Sequence, residues 1–510
     1  MKKILTATLA LLTLMSPALA QQEVEIQFTG TPWGVQNVSA NNRYLVGTRQ
    51  YTEFYRYDMV NKELITVQAT HSQSDMAGLD VTNDGVVVGK DDDLVPAIYK
   101  DGAWHKLPIL EGKLEGPASA CSANGEVITG QVYGTATDKP YKVYPMVWYQ
   151  QTDGNYTYEV LPDPEVDFLG GKTQFNSPRA ISADGNTIYG VQVEQKGRYF
   201  TNIVYTRGTD GKWTLSMPLV KYCYNTDRFK ELQAEEPQLK DYVSQEGDYM
   251  ENVNRYLLDQ ARWQLKIYTE GMTGLTLNAV PVVSSQDGRY LALASQRNTY
   301  ELVEENPSVE VKAGPIFPSL YDTHTGELIT MEQVTDFSPF AISNQGDMIY
   351  SDGVNFMLLL RNSQQPINVV DFLKEKYNFD LRAALPSNTQ YIESAAIGNN
   401  LEFLAGTYRS VTPDGELDAK EVFCVMLPQM TDIIESLNTP ASNSIKLEGN
   451  QLVFDGPMSN IRIYDMGGRQ TMQASQTAHK LNVQQLETGV YIVTAHNQQG
   501  TLVKGRVLKQ

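Results

Sequence analysis

One short phrase recurs along the chain and restricts the fold more than any other feature. A small or apolar pair leads to Ser, then a polar pair ending in Gly, an apolar run and often a closing Gly. It reads Ala180-Ile181-Ser182-Ala183-Asp184-Gly185 with Thr187-Ile188-Tyr189-Gly190, and Ala341-Ile342-Ser343-Asn344-Gln345-Gly346 with Met348-Ile349-Tyr350. It returns at Leu79 to Gly89, at Ala120 to Gly130 and at Val283 to Leu293. Looser copies run from Val38 to Gly47 and from Ala396 to Gly406. Each copy reads as a strand, a tight turn and a second strand. Asp-Gly or Asn-Gly supplies the positive φ angles that a two-residue hairpin demands.

Two further strands follow most copies. The third carries a bulky aromatic, as in Ile98-Tyr99, Val147-Trp148-Tyr149 and Ile203-Val204-Tyr205. The fourth ends in Leu107-Pro108, Leu161-Pro162 or Met217-Pro218. Four antiparallel strands per unit, repeated about seven times, predict an all-β fold, a β-propeller over residues 21–430. Six or eight blades stay open because the outer copies are degenerate. Closure is expected from Val24 to Phe28, pairing with the last blade. The long gap between Gly185 and Gly288 holds a helical insertion at about 225–271. There Met250, Val253, Leu257, Ala261 and Leu265 keep helical spacing between Asp248 and Gly271. Pro237 is expected to part it from a shorter helix. The insertion is either a cap over the ring or a decoration on one blade's edge.

Residues 1–20 read as a secretory signal peptide. Lys2 and Lys3 precede an apolar stretch from Ile4 to Met15, and Pro17 precedes the small cleavage residues Ala18 and Ala20. The apolar run is roughly 12 residues, whereas a spanning helix needs about 20. No other segment is long and apolar enough to cross a bilayer as a helix. The formal net charge is −19 and becomes more negative once Lys2 and Lys3 leave. Such a chain is a poor binder of phosphate backbones, which excludes nucleic acid as a partner. Cys121, Cys223 and Cys424 are too few and too far apart for a disulfide framework, and the sequence does not choose a pair.

After a polar linker at 431–443, residues 444–510 alternate in short strands and predict a small Ig-like β-sandwich. Three phrases stand out in it: Ile463-Tyr464-Asp465-Met466-Gly467-Gly468-Arg469, Leu486-Glu487-Thr488-Gly489-Val490-Tyr491-Ile492-Val493, and Val503-Lys504-Gly505-Arg506-Val507-Leu508-Lys509. In order, spacing and position they resemble the C-terminal sorting domain of proteins exported by the type IX secretion system of Bacteroidetes. Leu486-Glu487-Thr488-Gly489 departs from the family, which often has Pro before the Gly. The resemblance implies Tyr464, Asp465, Gly468, Arg469, Gly489, Tyr491, Lys504 and Lys509 as the sorting motif. It also implies the type IX secretion machinery as partner, passage through the periplasm, and release or attachment at the outer-membrane surface. The central repeats resemble secreted bacterial propellers with WD-like or HAF-type hairpins, a resemblance that carries architecture and not activity.

Chemistry is harder to find. His71, His105, His324, His479 and His496 show no zinc spacing, and no nucleophile elbow or phosphate loop occurs. Cys121 falls at a core-like position. Asp91-Asp92-Asp93 and the trio Asp163, Glu165 and Asp167 are acidic loops in which Ca²⁺ is conceivable, though solvated acids fit as well. No cofactor is expected. The sequence thus favours a non-enzymatic binding or scaffolding module for an extracellular glycan, peptide or envelope protein. A hydrolase with carboxylates at the propeller mouth and a structural envelope component are the alternatives.

Overall fold

The computed structural model describes residues 24–428 and 445–509, apart from 33, 50–52, 69–78, 92, 113–114, 135–141, 165, 195–196, 198, 352–353, 364, 466–469, 475–476, 487–488 and 498–501. Seven four-stranded antiparallel sheets succeed one another in chain order. Blade 1 runs from Asn37 to Gln68, blade 2 from Asp80 to Lys106, blade 3 from Ala118 to Val160 and blade 4 from Thr173 to Ser216. Blade 5 runs from Leu275 to Thr330, blade 6 from Ala341 to Asn368 and blade 7 from Thr389 to Met426. Glu25–Phe28 supplies the fourth strand of blade 7 by pairing with Leu417–Met426, so the two ends of the ring are joined as the N-terminal alternation predicts.

The repeated phrase has a local cause. Ser285 Oγ donates to Asp287 Oδ1 at 2.6 Å and accepts the Tyr290 N–H at 2.9 Å. Ser39 does the same with Asn41 and Tyr44, and Ser122 with Asn124 and Val127. The hydroxyl thus closes the turn from inside, and Gly185 beyond it sits at φ 74°. The closing Gly has a different cause. A Cβ on Gly130 would lie 2.1 Å from the Pro117 carbonyl oxygen, and one on Gly190 would lie 2.4 Å from that of Ser177. The innermost strand bulges against the second strand at these places, and only glycine leaves room.

Blades pack face to face. Between blades 3 and 4 lie Val147, Leu161, Ile188, Ile203, Tyr205 and Trp213. Each such side chain contributes about 1.5–3 kcal/mol when fully buried. Leu107 and Leu161 are the buried members of the Leu-Pro pairs, and the Trp148 indole donates to the Pro108 carbonyl at 2.7 Å. The proline that stops the fourth strand therefore also anchors the next blade's tryptophan.

The insertion is more divided than the spacing predicts. Helices Val220–Cys223, Thr226–Ala234 and Leu239–Val243 precede the main helix Tyr249–Lys266. Asp248 caps the main helix by accepting the Glu251 N–H at 3.0 Å. Phe229, Leu232, Trp263 and Ile267 pack with Phe168, Leu169 and Tyr199. The insertion thus seats on the loops of blades 4 and 5. Two additions carry no strong sequence signal: the hairpin Thr299–Val303 with Ser308–Lys312, and the helices Val369–Tyr377 and Leu381–Ala384.

Residues 445–509 form two sheets that share one strand. Gln451–Asp465 pairs with Ile445–Glu448 and Ala478–Asn482 in its first half, and with Gln470–Ala474 and Gly489–His496 in its second. The sequence suggests two strands here. The chain instead bends through Gly456-Pro457 and continues from one sheet into the other. Leu502–Lys509 completes the second sheet beside Gly489–His496.

Candidate functional site: the central channel

Each blade's innermost strand borders a central channel of about 440 Å³. Three residues before each turn Ser, or its equivalent, one residue per blade lines it: Gln36, Leu79, Ser119, Arg179, Val282, Phe340 and Ala395. In blades 3, 4 and 7 this residue is the extra one of a β-bulge. Ala118 faces Gly130 and Ala120 faces Thr129, leaving Ser119 unpaired. Arg179 and Ala395 are left over in the same way. Bulges re-aim side chains, and here they aim them inward.

The channel differs at its two ends. At the turn end the seven hairpins hold one another by hydrogen bonds in an unbroken circle. The Asn41 N–H donates to Asn83 Oδ1, Asn83 N–H to the Ala123 carbonyl, and Ala123 N–H to that of Ala183, at 2.7–2.8 Å. Ala183 N–H donates to the Gln286 carbonyl at 2.6 Å, Asp287 N–H to Asn344 Oδ1 at 3.0 Å, and Asn344 N–H to the Asn399 carbonyl at 2.6 Å. Asn399 N–H closes the circle on Asn42 Oδ1 at 3.0 Å. Gln286 then crosses from blade 5 to blade 1, its amide donating to the Val38 carbonyl at 3.1 Å. By strand order, the helical insertion, the hairpin after Arg297 and the helices after Asn368 all leave from the opposite end. None of their residues lines the channel, and the insertion packs on Phe168, Leu169 and Tyr199 beside blade 4 and on Leu277 of blade 5.

Two charged residues line the channel. Asp80 is buried; its Oδ1 accepts the Val81 N–H and its Oδ2 the Cys121 N–H, both at 2.8 Å. Burial outweighs these two donors and pushes its pKa up to about 7. Arg179 is reached by solvent yet walled by protein, and that desolvation lowers its pKa. Its guanidinium has no hydrogen-bond or ion-pair partner among the described residues. Ser119 Oγ is buried and likewise unpartnered. Asp80 is the one carboxylate among the described residues of the lining.

The acidic loops are occupied by their own backbone. Asp91 accepts the N–H groups of Asp93 and Val95, and Lys106 pairs with Asp91 and Asp93. Asp167 accepts from Leu169 and Gly171, and Asp163 from Asn176. Asp92 and Glu165 lie outside the described residues. Among the described residues no group of three or more His, Cys, Asp or Glu could hold a metal ion. Cys121, Cys223 and Cys424 are free and buried, and burial raises each thiol's pKa.

The sorting-motif positions gather on adjoining strands. Gly489 faces Lys509, Asp465 faces Tyr491, and Tyr464 faces Ile492. Tyr491 joins the small core, and the Lys509 ammonium donates to the carbonyls of Val483 and Gln484 at 2.7 and 2.9 Å. Lys504 faces Thr494 in the last pair of strands. Gly468 and Arg469, like Ala18 and Ala20 of the leader, lie outside the described residues.

Residues 439–509 match the secretion system C-terminal sorting domain family. The match indicates secretion or cell-surface localisation, and no helix among the described residues is long and apolar enough to cross a membrane. No curated protein sequence matches the chain. Among solved structures, TolB from Acinetobacter baumannii aligns at 12% identity and TM-score 0.29, covering 68% of this chain and 62% of TolB. The chain thus spans less than two thirds of that relative's length. An oligogalacturonate lyase in complex with manganese aligns at 10% identity and TM-score 0.40, over 80% of this chain and 94% of the lyase. The β-propeller domain of Myceliophteria thermophila Cps50 (Swd1) aligns at 9% identity and TM-score 0.36, over 78% and 99%.

Proposed function

We propose that the protein is a propeller-shaped binding module, exported through the type IX system of a member of the Bacteroidetes and working outside the cell. The observation that carries this reading is the asymmetry of the ring. One end is closed by turns that satisfy one another. The other end bears every large insertion, and with them exposed apolar side chains such as Tyr249, Met250 and Leu257. Isolated apolar side chains on a surface are ordinary, but several on one inserted helix suit a contact surface. A glycan, a peptide or an envelope protein is the partner class.

The test is a binding panel of defined glycans, peptides and purified envelope proteins, run with the full chain and with a variant lacking 225–271. Binding that the turn-end substitution Asn83→Ala spares would support the reading. Failure of the whole panel at high concentration would overturn it in favour of a purely structural envelope component.

The residues Tyr464, Asp465, Gly468, Arg469, Gly489, Tyr491, Lys504 and Lys509 are proposed as the part the export machinery reads. Lys509→Met removes the two hydrogen bonds to Val483 and Gln484 and should lower the exported fraction, measured by fractionation. Unchanged export would separate Lys509 from sorting.

A further inference from the structure

We propose that the channel is a carboxylate-binding site, in which Arg179 clamps the carboxylate, Ser119 donates a further hydrogen bond and Phe340 covers the body that carries it. This rests on the reading of the propeller as a binding module. Blades 3 and 4 are neighbours, and each offers its bulged residue to the same space. Both residues present donors with no partner. Ser119 is 7% exposed as a residue, and its hydroxyl oxygen is buried and unbonded. Arg43 is paired with Asp58, Arg289 with Asp322 and Arg409 with Glu393, whereas the Arg179 guanidinium has no carboxylate partner among the described residues. Asp80 does not serve it, because both its oxygens are turned to backbone N–H groups.

The Arg179 guanidinium at the channel wall has its fork of N–H donors free for a planar anion that accepts two parallel N–H bonds. The guanidinium fork fits a carboxylate or phosphate oxygen pair. The rest of the lining decides between them. Val282, Leu79 and Ala395 are apolar, Gln36 offers an amide, and the Phe340 ring is 49% exposed within the lining. An apolar and aromatic wall opposite one cation suits a carboxylate on a ring or short carbon chain, and the channel lies in the size range of small-molecule sites, about 300–1,000 Å³.

The experiment is calorimetric titration of the full chain with glucuronate, benzoate and inorganic phosphate, with glucose as the uncharged counterpart. Glucuronate or benzoate should bind and glucose should not. Arg179→Gln should weaken binding about tenfold or more, and Ser119→Ala about threefold. Phe340→Ala should weaken the carboxylates and leave phosphate unaffected. The thermal midpoint of Arg179→Gln should match that of the parent, because no partner is left unpaired. Phosphate binding without carboxylate binding would overturn the assignment, as would an affinity indifferent to Arg179→Gln, or no binding by any probe. If these probes fail while the macromolecular panel binds, only the channel site falls. If both fail, the binding module falls with it.

Discussion

At one end of the ring seven hairpin turns hydrogen-bond to each other in a closed circle, whereas at the other end the chain leaves the blades for helices and a hairpin. Both ends belong to the same strands, yet they follow different rules. The turn end repeats because each turn is also its neighbour's hydrogen-bond partner, so a change in one copy disturbs two. The insertion end has no such reciprocity, and length and composition vary freely there. The channel inherits something from each. Its backbone repeats with the turns, while its seven inward side chains are all different and only Leu79, Val282 and Ala395 among them are aliphatic.

The contrast can be broken most severely at the glycines behind the bulges. Gly190→Val should cost more than about 3 kcal/mol, because the new Cβ meets the Ser177 carbonyl and backbone cannot yield cheaply. Gly34→Ala, with open space around it, should cost less than about 0.5 kcal/mol. Urea unfolding of the full chain compares them, and equal costs would mean the bulges are not close-packed.

Asp80 gives the next effect, and its sign is set by its raised pKa. Below an unfolded value near 4 both states hold the proton, and stability is complete. As pH rises from there to about 7 the unfolded chain releases the proton while the folded chain keeps it. Stability therefore falls across that window, by on the order of 4 kcal/mol. Above about 7 both states are ionised and the loss stops. Asp80→Asn should flatten this slope. It should also lose about 1–3 kcal/mol at acid pH, because its amide nitrogen faces an N–H donor. A variant with the parent's pH slope would show that Asp80 does not govern it.

Removing a side chain that braces the circle tests the turn end directly. Asn399 is buried, and its amide donates to the Ala40 carbonyl at 2.7 Å, so Asn399→Ala should cost about 1–3 kcal/mol. Asn254→Ala, exposed on the insertion's main helix, should stay within about 0.5 kcal/mol. Chemical unfolding of the two variants side by side would settle whether the ends differ as described. The smallest effect is at a single turn hydroxyl: Ser285→Ala should cost about 1 kcal/mol.

These features were unequally readable from the residues. The hairpin phrase was plain because Ser, Asp or Asn, and Gly each serve a local geometry that spacing alone reveals. The leading strand of the ring was plain for the same reason, as an alternating segment with no other place to go. Arg179 and Ser119 were not singled out, because a bulge exists only between two paired strands. Their signal was nonetheless present as the variable residue three places before each turn Ser. The circle of turns was hidden because its bonds run between residues 40 to 103 positions apart and, at closure, across nearly the whole propeller. The insertion read correctly as helical, but its seat depends on Phe168, Leu169 and Tyr199 from loops that carry no pattern.

Amide hydrogen exchange on the full chain, with and without glucuronate, tests the central contrast most directly. The turn amides of Asn83, Ala123, Ala183, Asn344 and Asn399 should exchange among the slowest in the propeller, and much more slowly than the helix Leu239–Val243. Glucuronate should slow exchange in segments 117–121 and 177–181 and leave the turns as they were. Turn amides that exchange as fast as the insertion's helices, or a ligand response confined to the turn end, would contradict the account.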